Sequence, residues 1–360
     1  MRYLKHIVPF SYQAVKSITG SLYLCVFLLF TSCLDRIDIV PEESASLLVV
    51  QGFVDNSGRV EVALRATQDF SSFTRDAFIN GSQVELIEND NTVVPLTDFG
   101  DNTYSTNSEE LSFQVGNTYK LRVLLPNGEI YESTEETILP PIEILDADVE
   151  LTENLFLDEN QVERRSYSHD ITVELANEND NQFFITDNSA FEEVELNYPG
   201  NICGFGAPTT PPTCWAFRES ISNDVNTGSN VNLGSSDFKF LAQEIPFRFK
   251  REYVAVIRIL RTSFQQFNFW QDVRDQLNRP GSLFDPEFAP IVGNMTHVNG
   301  DKVVLGYFAA YGMSERFVCF DRFDVPLVAD LPSDNSCSIT CTEWFAPATF
   351  LDVGSILCRE

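Results

Sequence analysis

Leu47-Leu-Val-Val-Gln-Gly-Phe53 and Val60-Glu-Val-Ala-Leu-Arg-Ala66, joined across Asp55-Asn-Ser-Gly58, set the reading of the whole chain. Both are apolar-rich pieces of strand length, and the turn between them is made of residues that tolerate the positive φ a hairpin demands. The same unit recurs outward from there. Apolar-rich pieces follow at 84–87, 92–96, 103–106, 119–125 and 129–134, with Asp90-Asn91 and Asn127-Gly128 as further turns. Asn127-Gly128 carries the strongest hairpin chemistry of these. Seven short strands in about ninety residues is the spacing of a β-sandwich.

Pro140-Pro141 ends that series, because proline brings no donor hydrogen to a ladder. It marks a boundary between a first domain over 47–139 and a second over 142–360. The second region offers strands at 142–151, 171–175, 183–186, 238–241 and 253–260, with connections rich in Asp and Asn such as 177–181. One helix is expected at about 263–278. Ser263 caps it, Gln266 completes a capping box, and Phe264, Phe267, Trp270, Val273 and Leu277 recur near the helical period before Pro280-Gly281. Phenylalanine dominates the aromatic residues, 30 against 11 Tyr and 3 Trp, and it has no polar handle for orienting a ligand, so this stripe reads as core. No repeat with a period of about 20–50 residues is present, which argues against a solenoid or propeller.

The composition of the 360 residues, 43% hydrophobic and 21% charged, is that of a globular protein. With 53 acidic against 24 basic residues the net charge is −29, which makes nucleic acid and anionic lipid surfaces unattractive partners. The first 32 residues read as a secretory signal peptide: Arg2, Lys5 and Lys16 with no acid, then the apolar run 22–30, about half of what a bilayer-spanning helix needs. Thr31-Ser32-Cys33 resembles the bacterial lipobox, in which the thiol of Cys33 takes a diacylglyceryl group and becomes the new N-terminus. Removal of residues 1–32 takes away three basic residues and no acidic one, to leave a mature charge of −32. So acidic a body is repelled from anionic headgroups, and a covalent lipid is the sensible means of holding it at a membrane. Residues 33–46 form a polar tether of roughly 45 Å when extended. Acidic residues just after an acylated cysteine resemble export signals of Bacteroidota surface lipoproteins; here Asp35 and Asp38 flank Arg36. The expected location is the outer membrane, facing outward.

Six cysteines remain beyond Cys25 and Cys33: Cys203, Cys214, Cys319, Cys337, Cys341 and Cys358. In an exported protein an even number points to disulfides, here three, which would staple the second domain. Cys203 and Cys214 flank a Gly- and Pro-rich loop and are expected to close it, a stabilisation of about 2–3 kcal/mol. Zinc at Cys337 and Cys341 is disfavoured by the spacing and the oxidising compartment.

The search for catalytic groups yields none. His169 and His297 are the histidines left after the signal peptide, and metalloprotease, nucleophile-elbow and phosphate-loop motifs are all missing. His169, in Tyr-Ser-His-Asp at the start of a strand, reads as a solvated edge residue. Two facing carboxylates would suffice for a glycoside hydrolase, although proximity among 53 acids means little. The loops 98–102 and 177–181 lack the ligand pattern of an EF-hand and read as solvated turns, so no metal or cofactor is expected.

Two resemblances add to this. Gly100-Asp-Asn-Thr-Tyr104 followed by Gly116-Asn-Thr-Tyr119 is similar to small immunoglobulin-like or prealbumin-like modules. Gly281-Ser-Leu-Phe284, Gly293-Asn-Met295 and Leu305-Gly-Tyr-Phe308, with the lipobox and the strand at 47–52, resemble a Bacteroidota family of outer-membrane lipoproteins whose domain has no assigned function. Members are often encoded beside TonB-dependent transporters of the SusC/SusD kind, which implies an accessory role in nutrient capture or envelope assembly. The expected architecture is therefore mainly β, an immunoglobulin- or prealbumin-like sandwich followed by a larger disulfide-stapled β domain with one amphipathic helix. The expected work is non-covalent binding of a ligand or a transporter subunit, with Phe205, Trp215 and Phe217 around the Cys203–Cys214 loop as binding candidates. The alternatives are the carboxylate-dependent hydrolase and a passive surface spacer.

Overall fold

A computed structural model describes residues 46–67, 79, 81–106, 113–157, 162–178, 180–195, 213–219, 226–231, 233, 237–246, 252–278 and 290–322, all in one compact unit. The expected signal peptide, Cys33 and all but the last residue of the expected tether lie outside them. The protein is mainly β, with one helix among the described residues.

Eight strands come first: β1 (Leu48–Asp55), β2 (Val60–Ala66), β3 (Gln83–Glu88), β4 (Thr92–Asp98), β5 (Thr103–Ser105), β6 (Thr118–Leu124), β7 (Ile130–Ser133) and β8 (Glu136–Thr137). The hairpin residues behave as their chemistry requires: Gly58 and Gly128 have φ of 94° and 87°. The turn into β4 takes its positive φ at Asn89 and Asp90, one residue earlier than the expected Asp90-Asn91. Alternate residues of β1, β2 and β6 point inward, so that Val50, Val62, Leu64, Leu121 and Val123 share one fully buried cluster. Full burial of such a side chain contributes about 1.5–3 kcal/mol.

Ten strands and the helix follow: β9 (Ile144–Leu157), β10 (Glu163–Leu175), β11 (Phe183–Thr186), β12 (Ser189–Glu195), β13 (Thr213–Glu219), β14 (Thr227–Ser229), β15 (Phe238–Pro246), β16 (Glu252–Thr262), α1 (Phe264–Leu277), β17 (Met295–His297) and β18 (Val304–Asp321). Strands β9, β10 and β15 make a separate three-stranded sheet, while the others form one large sheet running β13-β12-β16-β18-β1-β2-β5-β4-β3-β6-β7-β17 with side branches. Strands from both sides of Pro140 thus share a sheet. β18 lies parallel to β1 along residues 304–311 and antiparallel to β16 along 312–321.

At the junction of those two halves the chain crosses itself. A Cβ on Gly312 would stand 2.0 Å from the Leu139 carbonyl oxygen, so only glycine lets the 139–142 segment run over β18. Arg261, opposite Gly312 in the ladder, donates to the Pro140 carbonyl at 3.0 Å, and Ser314 and Arg316 bind the carbonyls of Ile142 and Leu145. The proline linker is strapped down along its length.

The three-stranded sheet buries Ile171, Val173 and Leu175 against Tyr253, Ala255 and Ile257 in a second core. His169 continues that inward row on β10, the central strand, and is fully buried beside Phe320. The expectation of a solvated edge histidine is thereby corrected. A period of two carried backward from Ile171 reaches His169, and the strand begins at Glu163, eight residues before the expected start. The 177–181 loop has Glu178, Asp180 and Asn181 exposed, as expected of a solvated turn, and it is tied down by Asn230, which donates to Asn177 and the Asp180 carbonyl, and by Arg261, which takes the Glu178 and Asp180 carboxylates.

Candidate functional site

The large sheet has two differently occupied faces where β18, β1 and β2 lie side by side. One carries Val50, Val62 and Phe308 into the first core. The other carries Gln51 and Phe53 from β1, Glu61, Ala63 and Arg65 from β2, and Tyr307, Ala309 and Tyr311 from β18. The register Gln51↔Ala63 and Gln51↔Tyr307 aligns these rows across the three strands. Helix α1 covers this second face in part and leaves an open cleft.

Two cavities make up the cleft, of about 340 Å³ and 410 Å³, and they share Gln51, Trp270 and Tyr307. The first is walled by β2 and by Gln266 of α1. The second runs on toward Val49, Phe269, Val273 and Pro290. Such volumes lie within the range of small-molecule sites, about 300–1,000 Å³. The aromatic rings are arranged edge to face or tilted: Phe269 meets Trp270 at 5.5 Å and Tyr307 at 5.0 Å, and Phe53 meets Tyr311 at 6.0 Å.

Residue spacing explains why the helix gives this wall. Ser263 caps α1 by accepting from the Gln266 amide at 3.3 Å, as expected. The other half of the capping box does not form, since the Gln266 side chain turns to Thr262 and inward. The aromatic stripe divides. Phe267 is buried against Phe183, whereas Trp270 and Val273 line the cleft, and Phe264 and Leu277, at the two ends of the helix, are exposed. Gln266 is fully buried, and neither its Nε2 nor Trp270 Nε1 has a hydrogen bond of normal geometry. Both act on the Tyr311 hydroxyl, whose pKa burial nevertheless drives well above the ordinary value. Unsatisfied buried donors cost about 1–3 kcal/mol each, a cost that an incoming acceptor removes.

Below the floor sits a buried carboxyl. Tyr307 donates to Glu136 at 2.7 Å, Asn294 at 3.1 Å and Ser263 at 3.3 Å. Burial holds Glu136 above the ordinary carboxyl pKa against these three donors, and the same burial together with Glu136 raises Tyr307. Asn294 also bridges both backbone groups of Phe308, at 2.8 and 2.9 Å. The Gly-Asn-Met and Leu-Gly-Tyr-Phe segments thus lock together. Gly306 has φ 95°, and a Cβ on Gly293 would fall 1.5 Å from its carbonyl oxygen.

At the rim, Glu61 and Arg65 are exposed and make no ion pair among the described residues. By contrast Arg59, Arg122, Arg218 and Arg258 each hold a carboxylate. Glu61 is the one carboxylate among the described residues that line the cleft.

The residues singled out from sequence lie elsewhere. Trp215 and Phe217 are on β13, an end strand separated from β18 by β12 and β16, with Phe217 exposed and tilted against Phe191 at 5.0 Å. Cys214 is on the same strand, opposite Val194. Phe205, Cys203, Cys337, Cys341 and Cys358 lie outside the described residues, as do Gly281 and Phe284. Cys319, on β18, is disulfide-bonded, and the pairing among the six cysteines lies outside what is described. No group of three or more His, Cys, Asp or Glu side chains among the described residues is placed to hold a metal. Among the same residues no helix is long and apolar enough to cross a membrane.

Comparison with curated proteins and with solved structures gave no match. A family model described as a domain of unknown function, DUF4249, matches residues 35–316, well over half of the 360 residues, and the chain belongs to that family.

Proposed function

We propose that this chain is a binding protein without catalytic activity of its own, anchored to the outer membrane through lipid on Cys33. It presents a ligand, taken up in the cleft between α1 and the β1–β2–β18 face, to a transporter subunit of the SusC/SusD kind. The cleft is the observation that carries this reading. Its walls are mainly aromatic rings and neutral amides, with Glu61 and Arg65 at the rim and buried donors that lack a hydrogen bond of normal geometry, a lining suited to holding a ligand. A glycoside hydrolase needs two carboxylates across the bond it cleaves, and this cleft has Glu61 alone among its described lining. A passive spacer gives no reason for an open aromatic cleft on an otherwise packed sheet.

Two finer features belong to the same reading. The N-terminal strands form a sandwich of the immunoglobulin or prealbumin kind, and the six cysteines Cys203, Cys214, Cys319, Cys337, Cys341 and Cys358 form three disulfides suited to an exported protein.

The experiment is a fractionation. Wild-type protein is expected in the outer membrane with a lipid on Cys33 by mass spectrometry, and in detergent extracts it brings down a transporter subunit at fixed stoichiometry. Cys33→Ser is expected to lose membrane retention. Wild-type chain found free with an unmodified thiol, or membrane-bound but always alone, overturns the proposal.

A further inference from the structure

Resting on the cleft as a binding site, we propose that its ligand is a short peptide, two to four residues long, with both termini free. The reason lies in the β2 wall. Glu61 and Arg65 point into the same cavity from positions four residues apart on one face, which is about 13 Å along a strand. Among the described residues neither has an ion pair or a side-chain hydrogen bond, in a chain where 53 acids compete for 24 bases. An unpaired arginine in so acidic a protein is a charge waiting for a partner from outside.

Opposite charges fixed apart on one wall are the complement of a zwitterion whose own charges are held apart. An extended peptide advances about 3.3 Å per residue, so two to four residues bring an ammonium group to Glu61 while the carboxylate meets Arg65, the two long side chains making up the difference. Guanidinium and carboxylate pair in a bidentate fork, which favours a terminal carboxylate at that end. Between the ends, the floor supplies what the middle of a peptide needs. Gln266 Nε2 and Trp270 Nε1 turn toward the Tyr311 hydroxyl without a hydrogen bond of normal geometry, so a peptide carbonyl can draw either donor, and Phe53, Trp270 and Tyr307 offer ring surface to a side chain. Other chemistries match less of this wall. A neutral sugar leaves both charges unanswered, a simple anion meets Glu61, and a simple amine meets Arg65.

The test uses the full chain, immobilised in detergent, and a pool of free tripeptides beside the same pool acetylated at the N-terminus or amidated at the C-terminus. Retained peptides are quantified by mass spectrometry. Free peptides are expected to be retained at least tenfold over peptides blocked at either end. Arg65→Gln is expected to erase the preference against amidation and leave that against acetylation, and Glu61→Gln the reverse. Ala63→Trp, which fills the wall between them, is expected to abolish retention of every pool, with thermal melting to show that each variant is folded. Equal retention of free and blocked peptides, or preferences that persist in both charge variants, overturns the proposal. Retention of maltose in place of peptides, lost in Ala63→Trp, overturns the peptide and leaves the cleft. No retained peptide while a transporter subunit still co-purifies sinks the ligand class and spares the membrane role.

Discussion

His169 shows how a single inward position sets the response of the fold to acid. It is fully buried beside Phe320, and burial, with Arg322 adding to it, lowers its pKa from 6.5 to about 4. The unfolded chain therefore binds more protons between those values. The stabilisation is fully present above pH 6.5 and is lost as pH falls toward 4, a swing of roughly 3 kcal/mol at about 1.4 kcal/mol per unit. Urea midpoints measured across this range are expected to fall with pH in the wild type and to flatten in His169→Phe, which keeps a ring against Phe320. A parallel acid slope in both proteins refutes the assignment.

At the scale of elements, Glu136 joins pieces that are far apart in sequence. Short β8 carries it, the cap residue of α1 donates to it, and the 290–294 loop and β18 reach it through Asn294 and Tyr307. Burial raises its pKa above 4.5, so the folded state holds its proton more tightly than the unfolded one. Stability owed to this proton is complete below pH 4.5 and declines as pH rises through the folded value. Glu136→Gln keeps an amide oxygen to accept from Tyr307 and carries no charge. Its stability, from urea titrations, is expected to exceed the wild type's at pH 8 and to lose the alkaline decline; a variant that declines in step with the wild type contradicts this. The elements themselves were legible to unequal degrees. β1 through β7 and α1 announce themselves through hairpin residues, short apolar runs and a cap, because those signals are local. β12, β13 and β17 do not, since Ser189–Glu195 and Met295–His297 become strands by pairing with β16 and β7, and nothing in their own residues requires it.

The whole molecule depends on pairings that no window of sequence contains. β1 meets β18 across more than 250 residues, Leu48 against Val304. The cleft is a product of that pairing, because Gln51 and Tyr307 become neighbours through it while α1 is laid across them. For the same reason its residues could not be picked out in advance. Arg65 looks like any polar strand residue until the other arginines are seen to be paired, and Trp270 belongs to a stripe whose other members are variously buried, exposed or, like Val273, at the cleft. A fragment of residues 46–141 lacks both β17 and β18, and with them the partners of β7 and β1. It is expected to show no cooperative thermal transition by circular dichroism when made alone, and to regain one when produced together with residues 142–360. A cooperative transition in the isolated fragment means that β18 is dispensable to it.

The place of β1 also governs how the protein bears load. Its first residue, Leu48, stands two residues into the described chain, and its length is clasped between β2 on one side and β18 on the other. Tension on the leading end is then resisted in shear, with every rung of both ladders loaded at once, instead of being peeled open one rung at a time. If the proposed lipid on Cys33 moors the protein by that end, the body keeps its shape under the drag of flowing medium.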